Sequence, residues 1–366
     1  MQNVEVGLEG RSYSVRVGHD ILAQLGAHCA ALQLGRQVAV LTDRDVAARY
    51  LKTVGASLRE AGYEVLEVVF DGGDAAKNLQ TMDAIFAQLI EAELDRSAWI
   101  CALGGGVVGD MAGFVAASFL RGVPYVQVPT TIVAQVDASV GGKTAVNHRL
   151  GKNLIGAFHQ PRLVYMDTRA LHSLPRRELV GGLAEVVKHA VIRDAELFAF
   201  LEAHIEELVE LKVDPERLDW LIARNVQIKA TVVEADEEEG GLRAILNYGH
   251  TVGHAIEAAT DYRQYRHGEA VILGMIAAGH LAGQRGLWSE SERSRQDDLL
   301  ARLGIPSGIA AVPAECIVER SRADKKRIAG KSKFVLPRQI GRVEIVDDIP
   351  EDEVRASIEY VQQTHP

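Results

Sequence analysis

Residues 99–110 read WICALGGGVVGD, and this stretch decides how the first half of the chain folds. Five apolar residues bounded by a glycine run predict a strand buried on both faces, and the residues behind it, 107–117, carry helical spacing. The glycines at 104, 106 and 109 match G-x-G-x-x-G between a strand and a helix. Such a turn lets the backbone approach a pyrophosphate, whose charge the helix N-terminus then stabilises. The same glycines also suit tight helix–strand packing. The run follows the third strand of its series, and no Asp or Glu lies near 20 residues downstream to bind a ribose. That acid must come from elsewhere, and Asp43 and Asp74, each just past an earlier strand, are placed for it. Asp110 reads either as a partner of the helix macrodipole or as a group facing a ligand.

Working outward, residues 38–42 (VAVLT), 64–70 (EVLEVVF) and 125–128 (YVQV) are comparable runs. They end at Asp43, at Asp71-Gly72-Gly73-Asp74 and at Pro129-Thr130-Thr131, with helical patterns through about Ala61 and over 79–93 between them. Strands alternating with helices predict a parallel sheet covered on both faces, with ligands beyond the carboxyl ends of its strands. Thr130 and Thr131 read equally as hydroxyl donors or as a helix start. Residues 4–8 and 12–17 add a hairpin with Gly10 in its turn. From about Leu174-Pro175 the spacing turns helical, over 178–191, 195–211, 215–233, 242–259, 268–285 and 289–303, with one extended piece near 333–336. The expected architecture is α/β plus all-α: a parallel-sheet domain over 1–173, a helical domain over 174–366, and an active site in the cleft between them.

Composition narrows the function. At 366 residues the chain has length for two domains, and 47% hydrophobic against 25% charged residues excludes disorder and fibre. The formal net charge of −10 argues against nucleic acid or a membrane surface as partner. Cys29, Cys101 and Cys316 are too few and too scattered for a disulfide framework or a thiolate zinc site. Residues 1–10 lack the apolar segment of a secretory signal, and the apolar run 270–283 is too short to span a bilayer. A reduced, soluble, cytoplasmic protein is expected.

Cationic groups gather at glycines. Residues 137–144 read DASVGGKT, which is not a phosphate-binding P-loop because Asp137 stands where its first glycine belongs. Gly151-Lys152-Asn153 repeats the theme. Lys143 and Lys152 suit either solvent or a phosphorylated or carboxylated ligand. The densest chemistry is Arg243, Asn247, His250, His254 and His267. On one continuous helix the first four would share a face at i, i+4, i+7 and i+11. Gly249 and Gly253 thin that helix for close approach. Such polar groups are costly to bury unpaired, and His250 and His254 have zinc spacing. Residues 181–188, GGLAEVVK, are apolar around one acid, Glu185, and one base, Lys188. Alone they read as a salt bridge; beside the histidines, Glu plus two His with an open position is the better reading.

These motifs resemble 3-dehydroquinate synthases over nearly the whole chain. GGGVVGDMAGF, RG-x-P…VPTT, D-x-SVGGKT, GKN-x-IG-x-F, GLAEVVKH, DEEEGGLRAILNYGHTVGHAIE and HGEAV carry the resemblance. It implies a Rossmann-like domain followed by a helical domain, NAD, one divalent metal (zinc, with Co2+ as an alternative) and a homodimer. Asp43, Asp74 and Lys77 would meet the adenosine side of NAD. Gly105, Gly106, Val107, Val108, Gly109 and Asp110 would meet its pyrophosphate and ribose. Thr130, Thr131, Asp137 and Ser173 come further along, and Lys143 and Lys152 line the boundary with substrate. Glu185, His250 and His267 would hold the metal, with His254 kept for substrate and proton handling. Arg121, Asn153, Lys188, Lys229, Glu239, Arg243, Asn247 and one of Lys325 or Lys326 would serve the substrate. Two positions depart from the family: Asp74 stands for its usual Glu, and Ser173 for its usual Thr.

The implied reaction turns a phosphorylated sugar acid, 3-deoxy-D-arabino-heptulosonate 7-phosphate, into 3-dehydroquinate and phosphate, a step of the shikimate pathway. Internal oxidation by NAD, phosphate elimination, reduction and an aldol closure follow one another. The alternatives are another sugar phosphate cyclase or a zinc-dependent polyol dehydrogenase. Arg243 and Asn247, suited to a substrate carboxylate, separate the first of these from a dehydroquinate synthase.

Overall fold

A computed structural model describes residues 1–305, 307–325, 333–347 and 349–365, the side chains of 322–325 excepted. Lys326 and the Lys325 side chain therefore lie outside the described residues. The chain divides into two compact units, one of Met1–Leu174 with Asp214–Glu234, the other of Pro175–Val213 with Ala235–Pro366.

In the first unit each apolar run is a strand. β1 (Gln2–Val6) and β2 (Tyr13–Gly18) form the antiparallel hairpin, with Gly10 at φ 71 in its connection. β3 (Gln37–Asp43), β4 (Glu64–Phe70), β5 (Trp99–Gly104) and β6 (Tyr125–Pro129) are parallel. β7 (Lys143–His148) and β8 (Gly151–Phe158) make a separate two-stranded hairpin, and β9 (Leu163–Asp167) returns to the main sheet. The seven-stranded order is β1-β2-β9-β6-β5-β3-β4.

Strand periodicity fills both faces. Ala39, Leu41, Ile100 and Ala102 enter one core with Met82, Ile85 and Met111; Val38, Val40, Trp99, Cys101 and Leu103 enter the other with Val54 and Leu58. All six residues of β5 are buried. The strand order reverses between β3 and β5, where register pairs Thr42 with Leu103. Asp43 and Gly104 therefore end neighbouring strands at the switch point, where ligands sit on open α/β sheets.

The long helix Pro215–Ala235 packs with this first unit although it follows two helices of the second. Hydrophobic spacing reports that a helix exists but not which core it joins.

Among the described residues the second unit is helical, with one hairpin of β10 (Lys333–Gln339) and β11 (Arg342–Asp347). The helix Arg176–Arg193 ends at Asp194, whose carboxylate caps the next helix by accepting from the Glu196 and Leu197 amides at 3.1 and 3.0 Å. The continuous helix expected over 242–259 is corrected. A 3-10 segment, Leu242–Asn247, is followed by extended Tyr248 and by Gly249 at φ 78, and the α-helix begins afresh at His250 and runs to Ala259. Gly249 adopts a left-handed conformation at little cost and redirects the chain. Arg243 and Asn247 thus do not share a helix face with His250 and His254. No described helix is long and apolar enough to cross a membrane. The three cysteines are free, with Cys29 and Cys101 buried.

Candidate metal and nucleotide centres

In the second unit, three elements carry one cluster. Glu185 and Lys188 lie one turn apart on Arg176–Arg193, both fully buried, and the Lys188 ammonium pairs with Glu185 Oε2. The other carboxylate oxygen, Oε1, faces His250 Nε2 at 3.7 Å and His267 Nε2 at 3.3 Å. His250 opens the helix His250–Ala259 and His267 opens the helix His267–Gln284. Each ring is anchored by its other nitrogen: His250 Nδ1 donates to the Tyr248 carbonyl at 3.1 Å, and His267 Nδ1 to Glu257 Oε2 at 3.3 Å. His254, exposed one turn beyond His250, stands with its ring centroid 5.2 Å from that of His250 and 5.7 Å from that of His267. Ligating nitrogens of the three histidines all lie within 4.8 Å of one another.

Electrostatics fit a divalent cation here. Burial works to raise the Glu185 carboxyl, but Lys188 and the two imidazoles outweigh it and hold the group well below the ordinary carboxylate range. Burial drives His250 down to about 3, so its ring is neutral and able to ligate at pH 7. Burial also works to lower His267, yet its bonds to Glu185 and Glu257 lift it to about 10, so this ring is protonated at pH 7 and a cation ligated at Nε2 must displace that proton. One carboxylate with imidazole nitrogens around a shared point is a donor set suited to zinc.

Glu257 was not singled out by the sequence reading. The signal was present: HTVGHAIE places a carboxylate at i+7 from His250, on the face that carries His254.

Arg243 is buried beside a turn built by Asp236. That carboxylate accepts from the amides of Gly240 (2.7 Å), Gly241 (2.8 Å) and Arg243 (2.9 Å), and the Arg243 guanidinium donates to the Glu237 carbonyl at 2.5 Å. Glu239 sits exposed in this turn at φ 63, a strained conformation for a side-chain-bearing residue. Asn247 is exposed at the end of the 3-10 segment.

In the first unit, Lys77 is buried and its ammonium bridges Asp110 Oδ2 and Asn153 Oδ1, each at 2.5 Å. Burial raises the Asp110 carboxyl against the pull of Lys77. Beside them Lys152 pairs with Asp74 Oδ2 at 3.1 Å, and Asn147 donates to Asp74 Oδ1 at 3.1 Å. A second buried ammonium, Lys229 on Pro215–Ala235, pairs with both the carboxylate and the carbonyl of Asp137. Asn153 stands at φ 56 and Arg121, exposed, at φ 72. Lys143 is exposed at the start of β7.

The glycine turn separates into two kinds of position. A Cβ on Gly104 would meet Val108 at 2.6 Å, so packing alone requires glycine there, whereas one on Gly109 would meet the far end of the Gln127 side chain at 2.8 Å. At Gly106 a Cβ would meet only Ala138, at an ordinary 3.5 Å. Residues 105–107 are half-buried at the start of the helix Gly106–Ser118, with Val108 buried behind them. Asp43 caps the helix after β3, accepting from the Val46 amide at 3.0 Å. Thr130 is buried, Thr131 Oγ1 accepts from the Ala134 amide at 3.3 Å, and the Ser173 hydroxyl donates to the Ala170 carbonyl at 2.8 Å.

Comparison with known proteins matches the family descriptions 3-dehydroquinate synthase N-terminal over residues 67–181 and 3-dehydroquinate synthase C-terminal over 182–327. A 3-dehydroquinate synthase of Nostoc punctiforme is 48% identical over 354 residues, covering 96% of this chain and 97% of that protein. Among solved structures, 2-epi-5-epi-valiolone synthase from Streptomyces hygroscopicus, with NAD+ and Zn2+ bound, superposes with a TM-score of 0.89 at 31% identity, over 98% of this chain and 99% of that one. A 2-deoxy-scyllo-inosose synthase complexed with carbaglucose-6-phosphate, NAD+ and Co2+ gives 0.88 at 26% identity, over 98% and 99%. With both halves matched in order and a near-full-length relative at this identity, the chain belongs to the 3-dehydroquinate synthase family.

Proposed function

We propose that this chain converts 3-deoxy-D-arabino-heptulosonate 7-phosphate into 3-dehydroquinate and phosphate, using NAD+ that is regenerated within each turnover and one zinc ion, which cobalt can replace. The observation that carries the reading is the convergence of His250 and His267 Nε2 on one buried oxygen of Glu185, with Lys188 on the other. The cyclases with NAD+ and Zn2+ or Co2+ bound support the same pairing of cofactors. When bound, the metal supplies Lewis-acid polarisation of neighbouring substrate oxygens and NAD+ a reversible hydride acceptor.

The chain's own groups do the rest. Residues 1–173 carry the nucleotide side: the half-buried backbone of Gly105, Gly106 and Val107 faces the pyrophosphate, and Asp43, Asp74, Lys77 and Asp110 hold the sugars. Residues 174–366 carry the metal and most of the substrate contacts, and Lys229 adds a cation from the helix that packs with the first unit. Arg243 presents a planar guanidinium to the substrate carboxylate, a two-pronged contact that lysine cannot reproduce. Arg121, Lys152 and Asn153 take the phosphate end. His254, exposed beside the metal histidines, is placed to move a proton at a substrate hydroxyl. The protein acts in the cytoplasm as a homodimer. Apolar Leu150, Leu154 and Phe158, 65%, 50% and 49% exposed on and beside β8, offer surface for a second copy, and sedimentation gives the oligomeric state.

The test is phosphate release from the heptulosonate phosphate by metal-stripped protein, with NAD+ and zinc added singly and together while NADH absorbance is followed. Release that needs both, without net NADH, establishes the reaction. NADH accumulation without phosphate release identifies a dehydrogenase instead, and silence in every arm sends the search to the substrates of the other cyclases.

A further inference from the structure

Two imidazoles present Nε2 to the same oxygen of Glu185, and they are held in unlike ways. His250 is anchored by a neutral backbone carbonyl, His267 by a carboxylate. That carboxylate, Glu257, is only 8% exposed. A buried carboxylate is expensive without partners, and an acid at this point of the helix calls for a reason.

Its position supplies one. Glu257 lies two turns after His250 on the helix His250–Ala259, and reaches across to the first residue of the helix His267–Gln284. The intervening chain turns back on itself, with the Tyr262 amide donating to the Glu257 carbonyl at 2.8 Å. The side chain of Glu257 thus faces the nitrogen of His267 that points away from Glu185. An imidazole whose Nδ1–H is fixed by an acceptor must present the Nε2 lone pair on its far side, and a charged acceptor makes that nitrogen a stronger donor to a cation.

We propose that Glu257 is a positioning residue for the metal: it fixes the tautomer and ring orientation of His267 and strengthens that ring as a ligand. The inference rests on the zinc reading of the site. It distinguishes the two histidines, since His267 rather than His250 gains basicity from its partner. Glu257 itself touches neither metal nor substrate.

The experiment uses the full-length zinc-loaded protein and the variants Glu257→Gln and Glu257→Leu. Zinc affinity is measured by competition with a chelator, the visible spectrum is recorded after cobalt substitution, and thermal unfolding is followed in the metal-stripped form. Glu257→Leu should bind zinc roughly 10–100-fold more weakly, with a changed cobalt spectrum. Glu257→Gln, whose amide oxygen still accepts from Nδ1–H, should keep the spectrum and lose only a few-fold in affinity. Variants that bind zinc within about twofold of the parent overturn the proposal, whatever their unfolding temperatures, because a purely structural tie would move stability alone. Should the leucine variant fail to fold, the glutamine variant decides: a few-fold loss supports the role and no loss overturns it. A parent protein that binds no zinc overturns the metal reading itself, and is told apart from the other failure by the parent arm alone.

Discussion

Gly268 and Gly181 meet backbone to backbone: a Cβ on Gly268 would stand 2.0 Å from the Gly181 carbonyl oxygen, whereas a Cβ on Gly181 would find nothing closer than the Gly268 Cα at 3.8 Å. The contact joins the helix that carries Glu185 to the helix that begins at His267. It sets how near those two donors come.

The asymmetry predicts opposite outcomes for the same substitution. Gly268→Ala must push the two helices apart, costing about 1–3 kcal/mol or more and lowering zinc content. Gly181→Ala, in a helix interior with room for a methyl group, should be neutral or stabilising by up to about 1 kcal/mol. Thermal unfolding with metal analysis of both variants checks this, and equal effects would show that the close approach does not govern the site.

Asp297 gives the pH dependence. Burial raises its carboxyl to about 6, against the pull of Gln296 and Arg293. The native state therefore holds this proton where the unfolded chain has already lost it. The associated stability is fully present below the ordinary aspartate value of about 3.8 and is lost as pH rises through about 6. Asp297→Asn should remove that loss, leaving the variant more stable than the parent at pH 7 by at most about 3 kcal/mol. Urea unfolding of both proteins from pH 4 to 7 tests it. A difference that does not grow with pH would refute the assignment.

Asp74 and Lys152 form an exposed pair, their side chains 54% and 38% accessible. Exposed pairs contribute roughly 0–1 kcal/mol, so Asp74→Ala should leave the unfolding midpoint almost unchanged while raising the KM for NAD+ several-fold. Asp74→Glu, the family's usual residue, should keep KM near the parent value. Loss of stability without a change in KM would make the pair structural.

What the sequence made legible follows from the range of the forces involved. The strands over 38–42, 99–103 and 125–128 declare themselves because each must fill two cores, and the edge strand over 64–70 because it alternates, with Val68 and Phe70 buried and Glu67 and Val69 exposed, a local constraint. Glu185 is conspicuous as the one acid in residues 179–192, a helical stretch buried on every side. The break at Tyr248-Gly249 was hidden because polar residues at helical spacing continue across it, and the left-handed turn at Gly249 leaves no mark in hydrophobic periodicity. β7 and β8 were missed because glycine, lysine and asparagine interrupt their alternation. Glu257 escaped because its importance lies in a contact with His267, ten residues away across a turn.

Arg243 is held from both ends, and that predicts a graded response. Asp236 accepts from its amide and the Glu237 carbonyl accepts from its guanidinium, so the side chain is anchored to the turn at both ends. Arg243→Lys keeps the charge but loses the planar fork, and should lower kcat/KM on the order of 10²-fold by raising KM and slowing turnover together. Asp236→Ala leaves the guanidinium in place but frees the turn that positions it, so it should lower kcat/KM by a smaller factor, on the order of tenfold. Steady-state kinetics of phosphate release at saturating zinc and NAD+ read both. Parent-like kinetics in Arg243→Lys would remove this residue from the substrate carboxylate. An Asp236→Ala defect as large as that of Arg243→Lys would mean the turn contributes more than aim.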